Sequence, residues 1–142
     1  MAKYNITEKK VHEPAYRNLV SETMMKELEE KIINIIKVQK RYKDKHYSAK
    51  LLAEDIGTNT RYLSAVINVR FNANYTSFVN KFRIENAKQL LADKRYQDLT
   101  MEDISDMVGF SNRQSFYASF YKFEGTTPRD YKIKVMAGII KD

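Results

Sequence analysis

The sequence predicts an all-α fold: two helix-turn-helix subdomains joined by a long linker helix, with an extra N-terminal helix ahead of them. Three observations predict it. The 142 residues hold only four glycines and two prolines, too few turn-makers for many short strands. Apolar residues recur at steps of three and four along most of the chain. A string of cap, short helix, glycine turn, cap and longer helix occurs twice, at an offset of 52 and then 53 residues.

Composition narrows the class. A hydrophobic content of 43% suffices for a core, and 30% charged residues suit a soluble surface. Without cysteine there is neither a disulfide nor a thiolate metal site, and His12 and His46 are not a ligand pair at helical spacing. No metal and no cofactor is expected. No apolar run spans a membrane, and the opening MAKYNITEKK lacks the core of a signal peptide, so a cytoplasmic protein is expected. The net charge of +7 invites an anionic partner. Residues 1–47 carry 11 basic and 7 acidic side chains, residues 48–98 carry 8 and 5, and residues 99–142 carry 6 and 6. The excess therefore lies in the first two thirds.

The elements follow in order. Residues 1–21 are polar and aperiodic, an expected flexible arm or linker. From Glu22 to about Tyr42 the series Met25, Leu28, Ile32, Ile35 or Ile36, and Gln39 predicts an amphipathic helix, so residues 22–47 form an N-terminal helix and its connection. Ser48 caps a short helix, Ala49–Ile56, facing Leu51, Leu52 and Ile56 inward and ending at Gly57. Thr58 or Asn59 caps the next, Thr60–Arg70, with Leu63, Val66 and Ile67 inside. Residues 48–74 thus make a first helix-turn-helix. After the polar turn Asn72-Ala73-Asn74, a helix from Tyr75 to about Asp93 buries Phe78, Phe82, Ala87, Leu90 and Leu91. It would be about 28 Å long, and residues 75–98 form this linker helix and a connection.

The pattern then returns over residues 99–135. Thr100 with Asp103 has the spacing of a capping box, opening a helix with Ile104, Met107 and Val108 inside that stops at Gly109. Ser111 or Asn112 opens another, with Phe116, Phe120 and Phe123 inside, closed by Gly125. Thr127-Pro128 starts a closing helix carrying Tyr131 and Ile133, and residues 136–142 are a tail. In the two copies Ser48 falls on Thr100, Ile56 on Val108, Gly57 on Gly109, Leu63 on Phe116 and Ile67 on Phe120. In this arrangement the second helix of each copy enters the major groove of DNA. Two copies about 34 Å apart would let one chain read neighbouring grooves.

The stretch Val108-Gly109-Phe110-Ser111-Asn112-Arg113-Gln114-Ser115-Phe116, continuing through Phe120 to Tyr131 with Gly125-Thr126-Thr127-Pro128, resembles the C-terminal signature of AraC/XylS-type transcription regulators. Leu52-Ala53, Gly57, Tyr62-Leu63-Ser64 and the segment from Phe78 to Ala87 are similar to the same family, and the resemblance covers roughly residues 48–134. It implies a bacterial, sequence-specific regulator, such as an activator, that binds double-stranded promoter DNA and works with RNA polymerase. It also implies a sensor domain or partner protein. The 47 residues ahead of the motif are too few for the family's usual β-rich sensor, so no ligand pocket carries over.

On the first recognition helix Arg61, Ser64, Ala65 and Asn68 share the outward face, and the resemblance places 61, 64 and 65 at base edges. Arginine can donate two bonds to guanine, serine reads ambiguously, and alanine can only touch a thymine methyl. On the second, Arg113, Gln114, Tyr117 and Ala118 are outward, with Arg113 suited to guanine and Gln114 to adenine. Ser111 and Gln114 also have capping-box spacing, which would turn Gln114 back on its own helix. Thr60, Arg70, Asn112, Lys122 and Arg129 are candidate phosphate partners, and Arg83 could brace the linker helix against a carboxylate.

Other functions make different demands. A helical protein-interaction module could use helix 22–42 for docking, but would have no need of Arg61 and Arg113 at matching outward positions. A non-specific architectural DNA binder should be basic throughout, whereas residues 99–142 are balanced. No cysteine nucleophile, phosphate-cradling glycine loop or neighbouring His–carboxylate set is present, so no enzyme is expected.

Overall fold

The computed structural model of the protein describes residues 20–138; most of the expected arm and the end of the tail lie outside them. Among the described residues all regular structure is helical and no strand occurs, as the periodicity predicts. No helix among them is long and apolar enough to cross a membrane. The chain divides into two compact units. The first holds the residues up to Arg41 with His46–Val79, and the second holds Tyr42–Lys45 with the residues from Asn80 onward.

In the first unit, helix α1 (Glu22–Ile33) begins at Ser21, whose hydroxyl accepts from the Met24 amide at 3.2 Å. Met25, Leu28 and Ile32 bury its apolar stripe. The expected continuation to Tyr42 does not form. From Asn34 to Val38 the helix widens to a π turn that brings Ile36, not Ile35, into the core. Gln39 is exposed, and Lys40 takes a left-handed φ of 59° that ends the helix before the 3-10 turn Arg41–Lys43. Because this stripe is buried inside the unit, it is not a free docking face.

Helices α2 (Ala49–Asp55) and α3 (Thr60–Phe71) form the first helix-turn-helix. Leu52, Ala53 and Ile56 lie within one arc of α2 and are buried. Leu51, expected inside, is 42% exposed, because it sits about 100° outside that arc. The Tyr47 phenol donates to Asp55 Oδ2 at 2.5 Å; burial first, then this hydrogen bond and the carboxylate's charge, push the phenol well above its ordinary range. Phe71 and Phe78, with ring centroids 4.5 Å apart, connect the end of α3 to the start of helix α4 (Tyr75–Ala92). The Asn72-Ala73-Asn74 turn works as predicted: Asn72 is left-handed and Asn74 accepts from the Ser77 amide at 2.8 Å.

In the second unit, Ile84, Ala87 and Leu91 of α4 pack with Ile104 and Val108 of α5 (Met101–Val108), Phe110 of the turn that follows it, Phe116 and Phe120 of α6 (Arg113–Glu124), and Tyr131 of α7 (Pro128–Met136). Phe120 meets Phe116 and Tyr131 edge-on at centroid distances of 5.9 and 5.5 Å. The expected inward series is corrected at three positions. The buried arc of α5 runs through Ile104, Val108 and Ser105, so Met107 falls on its other side and is 41% exposed. Ser105 is buried because its hydroxyl donates to the Asn112 carbonyl at 3.1 Å. Phe123 is 36% exposed in the last turn of α6. Ile133, about 200° round α7 from Tyr131, is 59% exposed.

Tyr42–Lys45 forms a strap across this second unit. Arg83 Nε donates to the Tyr42 carbonyl at 2.7 Å, and its Nη1 donates to Asn80 Oδ1 at 3.0 Å. Arg83 is thus a brace for the linker helix, through a backbone carbonyl and the Asn80 amide. Lys45 pairs with Asp106. The strap runs so close to Gly109 that a Cβ there would press on the Tyr42 carbonyl oxygen and lie 2.9 Å from Lys43 Cα, and Gly109 also has a φ of +110°.

Candidate nucleic-acid interface

Each unit starts its candidate reading helix by the same local device. In the first, Asn59 adopts extended backbone and its Oδ1 accepts from the Tyr62 amide at 2.9 Å, which makes Thr60 the first residue of α3. In the second, Asn112 does the same for the Ser115 amide at 2.8 Å, making Arg113 the first residue of α6. Sequence left Ser111 and Asn112 open; the cap is Asn112. The Ser111–Gln114 capping box therefore does not form, and Gln114 is exposed at the second helical position. The predicted box at Thr100 and Asp103 does form, with both bonds at 3.0 Å.

This register revises the equivalence between the copies. Arg61 stands at the second position of α3 and so matches Gln114, while Arg113 at the first position matches Thr60. Arg61 and Arg113 are not at matching positions.

The candidates on α3 separate by exposure. Thr60, Arg61 and Ser64 are exposed, and Asn68 is half-buried with a partner of its own. Ala65 is fully buried, which withdraws it as a base contact. Helix α3 packs against both α1 and α2, so its buried arc is wider than the Leu63, Val66 and Ile67 stripe predicted. Arg70 is also withdrawn. Nine residues after Arg61, it lies about half a turn away on the opposite side of the helix. There Arg70 Nη2 meets Glu22 Oε1 at 2.6 Å and Nε lies 3.3 Å from Glu29 Oε1, so its charge is matched by carboxylates of α1.

On α6, Arg113, Gln114 and Ala118 are exposed, and Tyr117 is half-buried with its ring against Phe116. The Arg113 guanidinium lies 5.8 Å from the Tyr117 ring centroid, which restrains it beside the helix start. Asn112 is exposed and uses its side-chain oxygen as a cap. Lys122 and Arg129 are exposed, with the Lys122 ammonium 5.8 Å from the Phe123 ring centroid.

Sequence inspection missed Lys132. It lies one turn after Arg129 on α7, and the i, i+3 spacing of the two cations was the available signal. Arg113, Arg129 and Lys132 border one open cleft of about 630 Å³ in the second unit. Among the described residues no cluster of three or more His, Cys, Asp or Glu could hold a metal ion.

A family model described as a helix-turn-helix domain matches residues 52–133. The chain is 31% identical over 81 residues to YtdP, an HTH-type transcriptional regulator of Bacillus subtilis, a match that covers 57% of this chain and 10% of that protein. The chain thus corresponds to a small part of this relative's length. Among solved structures, the C-terminal domain of the two-component response regulator yesN from Fusobacterium nucleatum aligns with a TM-score of 0.65 at 29% identity, covering 73% of this chain and 96% of that one. A transcriptional regulator from Chromobacterium violaceum, of the proteins containing AraC-type DNA-binding domains, shares the fold with a TM-score of 0.59 at 19% identity, over 69% of this chain and 87% of that one.

Proposed function

The chain belongs to the AraC-type helix-turn-helix family of DNA-binding transcription regulators, and from that premise we propose that it reads two adjacent major-groove segments of one promoter site. The observation that carries this is the repeated asparagine-capped helix with an exposed polar start: Thr60 and Arg61, followed by Ser64, in one unit, and Arg113 and Gln114 in the other. Arg61 donates to guanine O6 and N7, Gln114 pairs with adenine N6 and N7, and Arg113 lies at the groove edge where it meets a guanine or the flanking backbone. Ser64, Asn68, Tyr117 and Ala118 complete the two faces. Thr60, Asn112, Lys122 and Arg129 contact phosphates, helped by the free amides of the helix starts.

The division of labour is 48–74 for the first reader, 75–98 for the linker and 99–135 for the second. The family is a class of regulators and not of enzymes. Promoter DNA in the cytoplasm, RNA polymerase, and a sensor domain or partner protein are the partners this reading entails. The experiment is a mobility shift with promoter and random duplexes in rising salt. Promoter affinity should exceed random affinity by at least about 10³-fold at physiological salt. Equal affinity for both duplexes would remove sequence-specific regulation as the function.

A further inference from the structure

A chain of hydrogen bonds runs through the second unit from the Tyr42–Lys45 strap to the reading helix α6. Arg83 Nε donates to the Tyr42 carbonyl at 2.7 Å and Arg83 Nη1 to Asn80 Oδ1 at 3.0 Å. Asn80 Nδ2 then donates to Ser119 Oγ on α6 at 3.3 Å. A guanidinium has donors only, so the Asn80 oxygen must face Arg83, and that leaves the amide nitrogen for Ser119. Arg83 thus decides which end of the Asn80 amide meets α6. Its own place is set by the strap carbonyl and by the Phe110 ring, whose centroid lies 5.5 Å from the guanidinium carbon. The strap is held in turn by the Lys45–Asp106 ion pair and by its close approach to Gly109.

We propose that Asn80 is a positioning residue for the second reader, and that the strap sets it through Arg83. The inference rests on the DNA-reading function proposed above. Ser119 follows Gln114 by five residues, about 140° round α6, so it is half-buried while Gln114 is exposed. Burial of Phe116 and Phe120 holds α6 down, but apolar burial is not directional. The bond to Ser119 is directional, and a rotation of α6 that moved Gln114 off a base edge would break it. The strap carries the chain from α1 to α2. Displacing it, by whatever is joined to or bound on that side, therefore loosens base selection in the second half of the site without any contact to DNA.

The test compares Ser119→Ala, Ser119→Thr and Asp106→Ala with the unmodified full chain on single-base variants of a selected site. Ser119→Ala should lower discrimination in the second half-site about fivefold, the effect of one hydrogen bond, and leave the first half-site alone. Ser119→Thr keeps the hydroxyl and should restore most of it. In a Gln114→Ala background, Ser119→Ala should have no further effect at the base pair that Gln114 selects. Asp106→Ala releases the strap and should also lower second-half discrimination, whereas losing a negative charge by itself would tighten binding on every sequence. In the free chain the side-chain amide resonances of Asn80 should shift with Asp106→Ala, and thermal midpoints show that each variant is folded. If Ser119→Ala keeps full discrimination on a site the chain still prefers, the positioning role is wrong while DNA reading stands. If Asp106→Ala moves neither the Asn80 resonances nor the discrimination, the strap has no part in it. An unmodified chain without site preference would overturn the reading function itself, and the resonance shift still decides whether the strap reaches Asn80.

Discussion

Arg61 carries the sharpest prediction at the scale of single residues, because it is exposed at the second position of an asparagine-capped helix and, among the described residues, pairs with no carboxylate. Arg61→Ala should cost about 1–3 kcal/mol on the preferred site and relax selection at one base pair. Affinities on a panel of single-base variants will check it, and an equal loss on every sequence would show a backbone role instead. A second prediction concerns two glycines at repeat-related positions. Both have positive φ, but no atom of the described residues lies within 4 Å of a Cβ at Gly57, whereas one at Gly109 meets the strap backbone. Gly57→Ala should cost about 1–2 kcal/mol from backbone conformation alone. Gly109→Ala should cost several kcal/mol, with the strap displaced, as read from urea midpoints. Sequence marked both glycines as helix stops. The distinction between them comes from a strap 66 residues earlier in the chain, at Lys43.

At the scale of elements, helix starts were more legible than helix faces. Caps are local: a side chain of the right type bonds an amide three residues on, so Ser48, Thr100 and Thr127 could be named from spacing. Faces depend on how many neighbours a helix has. The burial of Ala65 and the exposure of Leu51 and Met107 arise because α3 touches two helices while short α2 and α5 bury narrow arcs. The element holding Tyr47 yields a pH prediction. Its phenol is raised above the ordinary value near 10 by burial, and by the bond to Asp55. The folded unit therefore keeps a proton that the unfolded chain releases above about pH 10, and stability is lost as pH rises beyond that point. Urea midpoints of the intact chain should fall from about pH 9.5 upward, and Tyr47→Phe should flatten that fall. An unchanged alkaline slope in the variant would reject the assignment.

For the molecule as a whole, two readers in one chain predict one chain per site. Analytical ultracentrifugation of the protein with a selected duplex should give a one-to-one complex, and scrambling either half of the site should weaken binding without abolishing it. Two chains per duplex, or total loss from one scrambled half, would contradict the proposal. Net charge of +7 accounts for attraction to DNA but not for where contacts lie. In the first unit Arg70 is neutralised by Glu22 and Glu29, so part of the basic excess counted along the sequence is not available to DNA. Within residues 99–142, balanced in count, three cations border one cleft.

By itself the sequence determined the all-helical class, the two copies, most helix starts and the family, because these depend on periodicity, caps and motifs that span a few residues. Only the tertiary structure decided which candidates stay accessible and which cations are matched. Ala65 was lost to packing, Arg70 to carboxylates 41 and 48 residues away, and Lys132 was gained beside Arg113 and Arg129. Burial and charge pairing are properties of neighbours distant in sequence, and no local pattern encodes them.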